Sequence, residues 1–220
     1  MSKLRLLFVK EAQASYISHL DLMRTFQRIF PRADLHLKHS QGYHPHPLIS
    51  IVLPLPVAQS SECELLDCEV LETTTGEGIA EKLNAGLPAG LRVRECYEVT
   101  RPARELAFLR AKLELEYDAG VPTGCVDALH ELFSRESLTV EKRTKHKELT
   151  TVDIRPMISS VLLCEGDGCV HADVLVQAQN PGLNPALFVR AIETHLPQFA
   201  PDFSRVRREE LYDSEMKTFR

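Results

Sequence analysis

The spacing of apolar and polar positions changes period several times along the chain. LRLLFVK, Leu4 to Lys10, alternates imperfectly, as a strand does. In SHLDLMRTFQRIF the period becomes helical: Leu22, Phe26 and Ile29 recur on one side, and Ser18 stands as N-cap with Asp21 three residues on. Pro31 is expected to end that helix. LHLK (Leu35 to Lys38) and LISIVLPLPV predict two short strands, the second stopping at its prolines. ECELLDCEVLE is a further strand, GEGIAEKLNAGL a helix, and LRVRECYEV a strand. Beyond the charged RPARE bridge the order recurs. LAFLRAKLELEY is a strand, GCVDALHELFSRE a helix, LTVEKRT a strand, MISSVLLCEG and HADVLVQAQ a hairpin, NPALFVRAIETHL a helix and VRREELYD a last strand. Each half thus runs strand, helix, strand, strand, helix, strand, with extra hairpin material in the second. The expectation is an α+β fold of two ferredoxin-like (βαββαβ) subdomains with antiparallel sheets, residues 1–103 and 104–220.

Composition fits this picture: 220 residues, 44% hydrophobic and 26% charged, are ordinary for a globular chain. No apolar run approaches the roughly 18 residues of a membrane span, and MSKLRLLFVKEAQ lacks the apolar core and cleavage site of a signal peptide. A cytoplasmic protein with no membrane partner is expected. The six cysteines form no CxxC pair. Cys63 with Cys68, and Cys164 with Cys169, are CxxxxC pairs, whose odd separation in extended chain sends the two thiols to opposite faces. Inert thiols and no metal site are therefore expected. The net charge of −5 is unevenly placed: residues 1–58 carry seven Lys and Arg against three acids, a balance of +4 that leaves −9 for the rest. Such asymmetry suits an anionic partner on the N-terminal part.

Candidate chemistry gathers there. Arg24, Arg28 and Arg32, four apart, fall on one helical stripe, where planar guanidinium forks suit phosphates. The same spacing also describes a solvated helix face. His19 and Asp21 stand at the helix start, but a spacing of two does not put them on one face, so capping competes with any acid–base role. The loop HSQGYHPHP offers Ser40, Gln41, Gly42, Tyr43 and His44 to a polar ligand, with Tyr43 able to stack and Gly42 to admit a close approach, while Pro45 and Pro47 stiffen the loop. It is equally a rigid scaffold loop; His44 and His46 project to opposite sides and make a weak zinc pair. In the second half, EKRTKHKE places Lys142, Arg143, Lys145 and Lys147 in a basic run. Asp153 and Arg155 are expected on one side of an extended strand, as an ion pair or as ligand contacts. Signatures of phosphate-binding loops, dinucleotide folds, nucleophile elbows and iron–sulfur clusters are absent from the sequence, so no cofactor is expected in this chain.

YISHLDLMRTFQR, KHSQGYHPHPLISIVLPLPV, SSECE and KRTKHKELTTVDIRP together resemble the radical SAM-linked family, a bacterial domain of unknown function. The matching positions are Ser18, His19, Leu20, Asp21, Arg24 and Arg28, then Ser40, Gly42, Pro45, Pro47 and Glu62, then Asp153, Arg155 and Pro156. The chain departs from the family at RIFPRAD and at Tyr43-His44, which weakens a shared role for the histidine cluster. Family members occur alone or joined to cobalamin-binding radical SAM proteins. The resemblance implies a radical SAM enzyme as partner, itself carrying an iron–sulfur cluster, S-adenosylmethionine and cobalamin, with RNA as the substrate. The expectation is a noncatalytic accessory or substrate-binding module that binds RNA. Two alternatives stand beside it: an RNA-processing or RNA-modifying enzyme using His19, and a protein-interaction scaffold without nucleic acid.

Overall fold

In a computed structural model, residues 1–143 and 149–220 are described. They divide into two compact units, Met1–Glu105 with Thr218–Arg220, and Leu106–Lys217.

The first unit runs β1 (Ser2–Lys10), α1 (His19–Arg32), β2 (Ile49–Ile51), β3 (Ser60–Val70), α2 (Ile79–Asn84) and β4 (Leu91–Glu98). β1 lies between β3 and β4, antiparallel to both, and β2 adds to β3, so the order is β4-β1-β3-β2. Even-numbered Leu4, Leu6 and Phe8 of β1 turn to the helices, where they meet Leu22, Phe26, Ile29 and Phe30 of α1 and Leu83 of α2 in one cluster. Phe8 and Phe26 pack edge to face with centroids 5.0 Å apart. Each such buried side chain contributes about 1.5–3 kcal/mol relative to exposure.

The second unit runs β5 (Phe108–Glu116), α3 (Cys125–Ser134), β6 (Thr139–Arg143), β7 (Leu149–Asp153), β8 (Ile158–Glu165), β9 (Cys169–Gln177), α4 (Ala186–His195) and β10 (Phe203–Tyr212). Its sheet has the order β10-β5-β9-β8, antiparallel throughout, while β6 and β7 form a separate two-stranded ribbon. With the ribbon set aside, the sheet strands of each unit, counted along the chain, stand in the order 4-1-3-2. The architecture is α+β with antiparallel pairing.

Three expectations are corrected. Pro31 does not stop α1, which continues to Arg32, because a proline in the last turn costs one backbone bond while Phe30 beside it is fully buried. Leu35 to Lys38 is not a strand: it makes isolated bridges, Leu37 to Val70 and His39 to Pro47, since the prolines beyond lack the donors that would extend a ladder. LTVEKRT does not join the sheet but pairs with β7, and β8 and β9 take the sheet positions.

Candidate functional site

The N-terminus of α1 is held by Ser18. Its hydroxyl oxygen accepts from the Asp21 N–H at 3.2 Å and its hydroxyl donates to Asp21 Oδ2 at 2.8 Å. The Arg24 guanidinium donates to Asp21 Oδ1 at 3.1 Å. The Ser18 hydroxyl first, and Arg24 after it, hold the Asp21 carboxyl below the ordinary aspartate range. A lowered folded value means that the stabilisation from this carboxylate is complete above the ordinary aspartate pKa and is lost as pH falls through the folded value. Ser18→Ala is expected to cost about 1 kcal/mol in chemical denaturation. In a carboxyl-carbon NMR titration the Asp21 midpoint should move upward in that variant; an unmoved midpoint would count against the cap.

One turn further, Arg24, Arg28 and Arg32 border a single open cleft of about 490 Å³, together with Asp21, Gly86 and Pro88. The stripe legible in the sequence is thus one concave surface, and the extension of α1 past Pro31 is what keeps Arg32 in it. The side chains of Arg28 and Arg32 make no hydrogen bond or ion pair with another described residue, so the exposed Asp21 offsets only Arg24. Gly86 and Pro88, from the turn after α2, supply the facing wall. No sequence signal pointed to them, because their place depends on α2 packing against α1. A side chain on Gly86 would press to 3.0 Å from Ile29 Cδ1, so the Ile29 side chain would have to give by a few tenths of an ångström.

His19, the first residue of α1, is exposed, and its side chain makes no hydrogen bond or ion pair with another described residue. The loop from His39 to Pro47 lies elsewhere, beside a separate hollow of about 390 Å³ bordered by Lys3, His46, Ile49, Asp67 and Glu69. The loop is closed on itself: Ser40 N–H donates to His46 O at 2.8 Å, and Ser40 Oγ accepts from His46 N–H at 3.1 Å and lies 2.8 Å from His46 Nδ1. Gly42 is needed for its backbone, at φ +129°, rather than for a close approach, since a side chain there would meet nothing within 4 Å. Gln41 is exposed, and Tyr43, 94% exposed, packs edge to face on His44 with centroids 4.8 Å apart.

In the second unit the Asp153 and Arg155 pairing is corrected. Arg155 sits in the turn Arg155–Met157 after β7, not in the strand. The Asp153 carboxylate accepts from the N–H groups of Leu138 at 2.9 Å and Arg155 at 3.0 Å and from Ser137 Oγ at 2.8 Å. These bonds, the Leu138 N–H foremost, lower its pKa. The Arg155 guanidinium donates to the carbonyls of Arg135, 3.1 Å, and Ile158, 2.9 Å. Both side chains therefore staple turns. Lys145 and Lys147 lie outside the described residues; Lys142 and Arg143 belong to β6, pairing with Thr150 and Leu149.

Of the cysteines, Cys63 and Cys68 are buried on β3 and Cys169 is buried, while Cys164 is exposed. Burial raises the Cys68 thiol far above its ordinary range and the Cys96 thiol to about 12. Among the described residues no three His, Cys, Asp or Glu side chains gather to hold a metal ion, and no helix is long and apolar enough to cross a membrane.

Among solved structures, one similar chain belongs to a Cbf5-Nop10-Gar1 complex, with TM-score 0.53 and 12% identity over 94% of this chain. This chain spans about half, 48%, of that one, and at such identity the likeness concerns the fold. A second, an unknown protein from Galdieria sulphuraria, reaches TM-score 0.29 at 11% identity, over 94% of this chain and 98% of that one. No curated protein matches. A family model described as an uncharacterized protein conserved in bacteria does match, over residues 3–185, and the chain belongs to that family, DUF2344.

Proposed function

We propose that the chain is a noncatalytic RNA-binding module serving a radical SAM enzyme, with the arginine face of α1 holding the phosphate backbone. One observation carries this reading: Arg24, Arg28 and Arg32 border one cleft, and two of them have no carboxylate partner among the described residues. The Cα atoms that carry them follow one another about 6 Å apart along the helix axis, since four residues rise about 1.5 Å each. That is of the order of the separation of neighbouring phosphates on a single strand, so three forks can engage consecutive groups. The positive balance of residues 1–58 adds attraction at longer range. Tyr43, almost wholly exposed on a stiff loop, offers a ring on which an unpaired base can stack.

RNA as the polymer and a radical SAM enzyme as the partner are supported by the resemblance of the SHLD helix and the SQGYHPHP loop to the radical SAM-linked family. In that arrangement the partner brings the iron–sulfur cluster, S-adenosylmethionine and cobalamin, and this chain delivers the substrate in the cytoplasm. The finer fold belongs to the same proposal: each unit is a ferredoxin-like subdomain, supported by the 4-1-3-2 strand order and the helices between strands.

The test is fluorescence anisotropy of a labelled single-stranded RNA of about a dozen nucleotides at low salt. Arg24→Ala with Arg28→Ala is expected to weaken binding roughly tenfold or more. Equal affinity in the two proteins, or no binding by the unaltered chain, would sink the proposal.

A further inference from the structure

β8 borders the second unit's sheet and pairs with β9 alone among the described residues. A free strand edge presents unpaired N–H and C=O groups, and proteins blunt such edges with charge, proline, bulges or shortness. β4, which borders the first unit's sheet, is blunted by Arg92, Arg94, Glu95 and Glu98. β8, ISSVLLCE, has no Lys, Arg or Pro, and its one charge, Glu165, is its last residue. Its register shift lies between Ile158 and Ser160, which leaves Ser160 to Glu165 regular.

The direction of its backbone groups follows from the turn. Gly166 N–H donates to Cys169 O, and hydrogen-bonded and non-bonded pairs alternate along an antiparallel ladder. Cys164 opposite His171 and Leu162 opposite Asp173 are therefore bonded pairs with β9, and the backbone groups of Val161, Leu163 and Glu165 face outward. Side chains alternate independently. Val161 and Leu163 are half-buried, whereas Leu162 is 67% exposed, an apolar side chain standing clear of the sheet.

We propose that β8 pairs antiparallel with β8 of a second copy, about a two-fold axis through Leu162. In that register Val161 of one copy and Leu163 of the other exchange both backbone bonds, twice over by symmetry. Leu162 meets its own counterpart at a non-bonded position, where opposed side chains come closest. Glu165 falls opposite Ser159, so no like charges meet. A register one residue further on would set Glu165 against the half-buried Val161. This self-complementarity is what selects a second copy: an isologous contact requires an edge that tolerates itself, and this one does. The contact buries little beyond one strand pair, so the dimer is a weak one.

Sedimentation velocity of the full chain over a concentration series up to about 0.2 mM tests it. The unaltered protein should dimerise. Leu162→Lys and Leu162→Glu change an exposed side chain and leave the bonds to β9 in place, so each should keep its circular dichroism spectrum yet self-associate at least about tenfold more weakly. Mixed in equal amounts, the two variants should dimerise again, because Lys then faces Glu across the axis. An unaltered protein that stays monomeric, a Leu162→Lys protein that dimerises as before, or a mixture that stays monomeric would each overturn the proposal.

Discussion

Asp67→Ala is expected to destabilise the first unit by about 3–5 kcal/mol. The cause is Arg5, whose side chain is 0% exposed although it lies on a strand. Its Nε donates to Asp67 Oδ1 at 2.6 Å and its Nη2 to Asp67 Oδ2 at 2.8 Å. Its guanidinium carbon stands 5.0 Å from the ring centroid of Phe219, and Nη1 has no hydrogen-bond partner among the described residues. The fork on Asp67 is therefore the one carboxylate contact among the described residues that offsets the desolvation of a permanent charge. Removing Asp67 leaves that charge buried and uncompensated, which costs far more than the pair itself contributes. Arg5→Met combined with Asp67→Leu should recover most of the loss, since apolar groups of similar size have no such charge to desolvate. Urea denaturation of Arg5→Met, Asp67→Leu and the double variant measures the coupling; an Asp67 variant within about 1 kcal/mol of the unaltered protein would contradict it.

Gly90→Ala carries the second large effect. Gly90 has φ +85°, and a Cβ there would lie 2.4 Å from Glu11 O and 2.9 Å from Ala14 Cβ. Glu11 N–H donates to Gly90 O at 2.9 Å, so this turn is where the segment after β1 is fastened to the start of β4. Alanine pays about 1–2 kcal/mol for the left-handed backbone and about 1–3 kcal/mol more for the overlap, because the atoms it meets are backbone and a buried methyl. Gly120 is the control: its φ of +84° is almost the same, but a Cβ there meets nothing within 4 Å. Gly120→Ala should show the backbone part alone, and equal losses at the two sites would mean that the contact with Glu11 adds nothing.

The sequence made some of these features legible and hid others for identifiable reasons. The amphipathic face of α1 reads directly from Leu22, Phe26 and Ile29, and the arginine stripe from a spacing of four, because both depend on helical period alone. The twofold element order followed from the alternation of short strands with helical runs. Arg5 was unreadable: a strand arginine ordinarily faces water, and what covers this one includes Phe219, more than 200 residues away in sequence. The histidine loop looked like chemistry because of its composition, while the structure spends Ser40 and His46 on closing the loop. Asp153 and Arg155 misled in the same way. Two-residue spacing suggests one strand face, but a turn begins between them, and both side chains serve backbone groups.

The salt dependence of RNA binding tests the central claim most directly. If Arg24, Arg28 and Arg32 each engage a phosphate, the logarithm of the association constant should fall against the logarithm of salt concentration with a slope near −2, from about −0.7 per single-strand phosphate. Replacing all three by alanine should flatten that slope by the same amount. A slope that the triple variant leaves unchanged would show that the α1 face is not where the phosphates lie.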